Sequence, residues 1–209
     1  MSQGVVHVVD DEPAIRESLA MLLDASGLGC RTYADAETFL AVLPLDTPGC
    51  VVSDVRMPGM SGLDLLRVLQ DRRVELPLIV ITGHADVSMA VQALKEGAAD
   101  FIEKPFDEKV FLKAVRGALA QGEKAFHERR RHLEVEGRVA SLTPREREVM
   151  ALVVQGLPNK AVAVELNISV RTVEIHRARV MEKMAADSLS ALVRMALQLE
   201  DHGLASEKA

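Results

Sequence analysis

Gly49-Cys50-Val51-Val52-Ser53-Asp54, followed by Val55-Arg56-Met57-Pro58-Gly59-Met60-Ser61-Gly62, is a short apolar run that ends at a carboxylate and gives way to a turn-rich loop. Three other runs end in a similar way. Val5-Val6-His7-Val8-Val9 stops at Asp10-Asp11-Glu12, Leu78-Ile79-Val80-Ile81 stops at Thr82-Gly83, and Asp100-Phe101-Ile102-Glu103 stops at Lys104-Pro105. Such short β-branched runs predict strands. Between Gly4 and about Gly122 they alternate with amphipathic stretches, giving five β and five α elements in strict succession. That alternation predicts an α/β fold, a doubly wound parallel sheet with helices on both faces. Ligands of such a sheet bind at the C-terminal ends of its strands. The four runs therefore bring acids, a hydroxyl and an ammonium to one edge.

The remaining elements follow from caps and breakers. Helices are expected over Pro13–Ala25, closed by Gly27; over Ala36–Leu43, after an edge strand Cys30–Tyr33; and from the capping box Ser61/Asp64 to about Arg72. A fourth runs over Asp86–Glu96, stopped at Gly97, and a fifth, capped by Asp107, from Glu108 to about Gln121. Residues 123–141, with Arg129-Arg130-Arg131, read as a solvated, partly helical linker. Beyond it all is helical. Thr143 and Glu146 box a helix running to about Gln155, and Asn159, Ser169 and Ser188 are expected to cap Lys160–Leu166, Val170–Met184 and Leu189–Leu199. The predicted domains are residues 1–122 and 142–209, joined by that linker.

Composition narrows the class. With 48% hydrophobic residues over 209, the chain can bury substantial cores and is not globally disordered. It has no run of about 18 apolar residues, which argues against a membrane span, and no secretory signal, so a cytoplasmic location is expected. Cys30 and Cys50 read as reduced core cysteines. Residues 1–124 hold 12 Lys/Arg against 19 Asp/Glu, and residues 125–209 hold 13 against 12. Only the second part can offer nucleic acid a favourable surface, and only as a local patch.

The edge residues suit phosphorylation of a carboxylate. That chemistry needs acids to hold a divalent cation, a carboxylate nucleophile among them, and hydroxyl and ammonium donors for the phosphoryl oxygens. Asp10 and Asp11 fit the first role, Asp54 the second, Thr82 and Lys104 the third. Singly, each is no more than a turn, cap or surface residue; their joint arrival at four strand ends carries the reading. In the second part, Lys160–Leu166, the turn Asn167-Ile168-Ser169 and Val170–Val173 read as helix, turn, helix. Val173, Val180 and Met184 lie on one side of the second helix, with Arg171, Ile175, Ala178 and Arg179 opposite, a face suited to the major groove.

Residues 4–122, through VVDDE, SDVRMPGMSG, ITGH and DFIEKPF, resemble the receiver domain of two-component response regulators. Leu142–Leu199, through LTPREREVM, GLPNKAVAVELNIS and RTVEIHRARVMEKM, resembles the LuxR/FixJ (NarL-like) DNA-binding domain. The first resemblance implies that Asp54 accepts phosphate from a sensor histidine kinase. It also implies that Asp10, Asp11, Asp54 and the Arg56 backbone carbonyl hold Mg²⁺ (or Mn²⁺), with Asp10 acting through water. Thr82 and Lys104 would bind the phosphoryl group, Phe101 would turn inward with Thr82, and Lys104–Pro105 would be cis. The second resemblance implies a recognition helix over Val170–Met184. Phosphate contacts would come from Lys160, Arg171, Thr172, His176 and Lys183, and base readout from Glu174, Ile175, Ala178 and Arg179. Glu174 would either accept from cytosine N4 or orient a neighbouring arginine.

The implied whole is a phosphorylation-activated transcription factor and not an enzyme. It would be a homodimer when phosphorylated, and its partners would be the kinase, double-stranded promoter DNA and RNA polymerase, with no membrane partner. GHADVSMAV, GLPNK and SLSALVRMAL resemble the nitrogen-fixation regulators of that family, so control of nitrogen-fixation or microaerobic genes is expected. Two other classes compete. An aspartyl-nucleophile phosphatase of the haloacid-dehalogenase type needs an acid two residues after the nucleophile, where this chain has Arg56. A switched protein-interaction module would lack salt-sensitive DNA binding.

Overall fold

Strand β1 (Val5–Val9) lies between β2 (Gly29–Tyr33) and β3 (Gly49–Asp54) in a five-stranded parallel sheet. β4 (Leu78–Thr82) and β5 (Asp100–Glu103) complete the order β2-β1-β3-β4-β5. The computed structural model describes residues 4–43, 47–83 and 87–204. Two compact units divide the chain, Met1–His127 and Glu128–Ala209.

In the first unit, the period of two along each strand sorts side chains between two cores. Val6, Val8, Cys50, Val52, Ile79 and Ile81 face one side, where Leu19 and Leu23 of α1 (Pro13–Ala25) and Phe111 and Val115 of a later helix cover them. Val9, Val51 and Val80 face the other, under Phe39 of α2 (Ala36–Ala41), Leu65 and Leu69 of α3 (Gly62–Asp71) and Ala93 of α4 (Val87–Lys95). Every residue of β3 is buried, as a strand covered on both faces requires. Each fully buried Leu or Phe contributes about 1.5–3 kcal/mol. The expected alternation and the doubly wound class are both present. Asp86, expected to open the fourth helix, and His84 of the ITGH stretch lie outside the described residues.

The fifth helix runs well past its expected end. The helix that carries Phe111 and Val115, α5, spans Glu108–Ala140, 33 residues, where a stop near Gln121 is expected. Gly122 is not a terminator. A Cβ there would run into the Gly49 carbonyl, so this glycine lets α5 pass close to the start of β3. Residues 123–140 therefore continue as regular helix.

The second unit packs the end of α5 with α6 (Pro144–Val154), α7 (Asn159–Glu165), α8 (Val170–Lys183) and α9 (Leu189–Leu204). Thr143 and Glu146 form the capping box, and Ser169 accepts from the Thr172 amide. Asn159 is not a cap. Pro158 holds that place, and the Asn159 Oδ1 instead accepts a 2.9 Å hydrogen bond from Arg177 Nη1, tying α7 to α8.

Candidate functional site

Where a parallel sheet's strand order reverses, the loops on either side diverge and leave a crevice. Here that point lies between β1 and β3. Asp10 directly follows β1 and Asp54 ends β3, so both carboxylates reach the crevice because the two strands run parallel in register, Val9 beside Ser53. Ile81 pairs with Asp54, and Thr82 follows one residue on. Lys104 comes just beyond β5, its amide donating to the Thr82 carbonyl at 2.7 Å. The peptide from Lys104 to Pro105 is cis.

The structure brings three of these side chains into direct contact. Lys104 Nζ donates to Asp10 Oδ2 at 2.9 Å and to Asp54 Oδ1 at 2.8 Å. Burial works against the ammonium's charge, but the hydrogen bonds to Asp54 and Asp10 outweigh it and hold the Lys104 pKa above its ordinary value. The other oxygens are also engaged. Asp54 Oδ2 accepts from the Arg56 amide at 2.6 Å, and Asp10 Oδ1 from the Glu12 amide at 2.9 Å. Asp10 and Thr82 are buried, Asp11 is exposed, and Phe101 is half-buried against the core beneath α3 and α4.

Two supports had no signal in the sequence. Arg16 on α1 donates to the Asp10 carbonyl at 2.7 Å and the Asp11 carbonyl at 2.9 Å, fixing the acidic turn. Glu37 Oε1 accepts from the Met60 amide at 3.2 Å and steadies the loop after Asp54. Gly62 is obligatory for packing, because a Cβ there would collide with the Asp54 carbonyl.

Among the described residues, no three His, Cys, Asp or Glu side chains are gathered closely enough to ligate a metal as they stand. The Lys104 ammonium offsets one of the two negative charges of Asp10 and Asp54. The donor set nonetheless fits Mg²⁺. Two carboxylates share one ammonium, a third acid, Asp11, follows Asp10 in the chain, and Mg²⁺ takes one or two carboxylates with several waters.

The second unit presents a different surface. Val173 and Val180 of α8 and Met184 at its end are buried, while Arg171, Glu174, Ile175, Ala178 and Arg179 are exposed, as the helical period predicts. Arg171 Nη1 lies 3.4 Å from Glu174 Oε2, both side chains exposed. Lys160 is exposed, and Thr172 and His176 are partly buried. Lys183 is engaged elsewhere, donating to buried Glu146 at 2.7 Å and to the Ser141 carbonyl at 3.1 Å. The Lys183 hydrogen bond, then the Thr143 amide, hold the Glu146 pKa down at about 2. Arg145, which carries no sequence signal of this role, donates at 2.6 Å to the carbonyl of Leu166, the residue that follows α7.

Residues 6–116 match the response regulator receiver domain family, and residues 140–196 match the bacterial regulatory proteins of the luxR family. The chain belongs to the response regulators. The receiver precedes a LuxR-type DNA-binding unit, the arrangement of FixJ-like, phosphorylation-driven transcription activators. The transcriptional regulatory protein FixJ of Azorhizobium caulinodans is 52% identical over 92% of this chain and 91% of its own. FixJ of Rhizobium meliloti is 49% identical over 94% and 97%. The solved structure of the response regulator StyR, 38% identical, reaches a TM-score of 0.83 over 94% of this chain and 100% of that one. The two FixJ relatives are regulators of transcription, and receiver domains in general bind Mg²⁺ at their phosphorylation site. Among the described residues no helix is long and apolar enough to cross a membrane.

Proposed function

We propose that Asp54 is the phosphoacceptor and that its phosphorylation by a sensor histidine kinase drives DNA binding by this response regulator. The observation that carries the reading is the Lys104 ammonium bound to both Asp10 and Asp54 at the point where the strand order reverses. An Asp54 oxygen attacks the phosphorus of the kinase's phosphohistidine, and the phosphorus–nitrogen bond breaks. Lys104, already on Asp54, moves to a phosphoryl oxygen, and the Thr82 hydroxyl donates to another. Asp10, Asp11, Asp54 and the Arg56 carbonyl would hold Mg²⁺, with Asp10 acting through water, and the ion would supply positive charge to offset that of the incoming oxygens. The added charge of about −1.5 to −2 draws Thr82 inward, and Phe101 follows.

Phosphorylated receivers pair as a homodimer, so that two α8 helices address half-sites about one helical turn apart on promoter DNA. Lys160, Arg171, Thr172 and His176 contact phosphates. Ile175, Ala178 and Arg179 read bases, with Glu174 setting the position of Arg171. Lys183, held by Glu146, leaves the set of phosphate contacts. The protein works in the cytoplasm, recruits RNA polymerase, and controls nitrogen-fixation or microaerobic genes, a regulon supported by its likeness to the FixJ proteins. It acts as a switch, not as an enzyme that turns over substrate.

Intact-mass measurement with acetyl phosphate and Mg²⁺ tests the reading. The wild type should gain one phosphoryl group and dimerise, and Asp54→Asn should do neither. Phosphorylation of the Asp54→Asn variant at another residue, with dimerisation retained, overturns it.

A further inference from the structure

The C-terminal end of α8 lacks the residue such an end ordinarily uses. Met184 closes the helix, and the following Ala185 has φ +49, the left-handed conformation that glycine adopts at least cost. Amides of Ala185 and Ala186 satisfy the carbonyls of Glu182 and Met181. The Met184 carbonyl is satisfied from outside the helix. Arg138 Nη1, on α5, donates to it at 2.9 Å, while Arg138 Nη2 rests on Glu134 one turn earlier at 2.6 Å. The next contact is reciprocal. Lys183 of α8 donates to the carbonyl of Ser141, the residue after α5. Val135 is buried in the same core as Val173, Val180 and Met184, with Val139 packed against it.

Glu134, Val135, Arg138 and Val139 all precede residue 140, where the luxR-family match begins. We infer that the last two turns of α5 are a working part of the DNA-binding unit, and that Arg138 is a positioning residue that sets α8 for base readout. The inference rests on the reading that α8 enters the major groove. Arg138 touches no base and no phosphate in this role. It acts by placing a positive charge on the helix's negative end and by fixing the carbonyl beside a strained residue. A helix anchored at its C-terminal turn keeps Ile175, Ala178 and Arg179 in a fixed register over the bases. Released there, it can still meet phosphates but discriminates less between bases.

The test uses full-length protein charged with acetyl phosphate and Mg²⁺. Its probes are a duplex enriched from a random library by the wild type, and a scrambled duplex of equal length. Arg138→Ala should lose about ten-fold on the enriched duplex, the weight of one charged hydrogen bond, and nothing on the scrambled one. The salt dependence should keep its slope, whereas Lys160→Ala should lower the slope by about 0.9 on both duplexes. Amides of residues 184–186 should exchange faster in Arg138→Ala while the core of the unit is unchanged. Arg138→Lys should recover most of the affinity. Equal weakening on both duplexes overturns the inference, as does a shallower slope or faster exchange throughout the unit. Unchanged affinity for the enriched duplex does the same. Failure of the wild type to enrich any duplex overturns the DNA reading and the inference together, and is told apart from failure of the variant alone.

Discussion

Removing the Lys104 ammonium should destabilise the receiver and make its stability depend on Mg²⁺. The Asp10 and Asp54 side chains are 1% and 10% exposed, and an oxygen of each lies within 2.9 Å of the same nitrogen. Lys104→Ala leaves two like charges facing each other with little water to screen them. Breaking a buried pair by removing one partner costs about 3–5 kcal/mol, because the remaining charge is uncompensated. Lys104 is itself 17% exposed, so water reaches the vacated place and the low end applies, about 3 kcal/mol. The assay is amide exchange at β1 and β3, whose buried strands open only with the unit as a whole. Their protection should fall about a hundred-fold in Lys104→Ala. Millimolar Mg²⁺ should restore part of that loss and add less to the wild type, where the ammonium already serves. Adding Asp54→Asn to Lys104→Ala should also restore protection, since one of the two charges is gone. Exchange in Lys104→Ala matching the wild type without Mg²⁺ would refute the reasoning. So would a double variant no more stable than the single one.

Three further outcomes are expected. Ala185→Gly should stabilise the DNA-binding unit by about 1 kcal/mol, because φ +49 costs a side-chain-bearing residue that much and glycine little; chemical unfolding measures it. Gly62→Ala should destabilise the receiver by about 1–3 kcal/mol through the collision with the Asp54 carbonyl, and slow phosphorylation from acetyl phosphate. His7, buried beside Tyr33 and Phe39, has its pKa lowered from 6.5 to about 4, first by burial and then by Arg31. Between those values the unfolded chain binds a proton that the folded one refuses, so receiver stability should fall as pH drops from 6.5 to about 4. His7→Phe should flatten the curve in that window, and an unchanged curve would place the titration elsewhere.

The fold class and the set of side chains gathered at the sheet's C-terminal edge were legible in the chain before any contact was known. Strand runs and their breakers are local signals, and a residue that ends a parallel strand must lie at the C-terminal edge, which places Asp10, Asp54, Thr82 and Lys104 together. The exposed face of α8 was legible for the same reason, since a period of 3.6 separates Val173 and Val180 from Ile175 and Arg179. Which charge meets which emerged only from the packing in three dimensions. Lys104 answers Asp10 across 94 residues, and Arg138 reaches Met184 across 46. No local pattern encodes such pairs, because long side chains find partners set by the packing of separate elements. The same holds for the continuation of α5 past Gln121, where Gly122 lies against the Gly49 carbonyl, and for Lys183, which meets Glu146 across 37 residues. Propensity and period act between neighbours in the chain, whereas desolvation and charge act between neighbours in space.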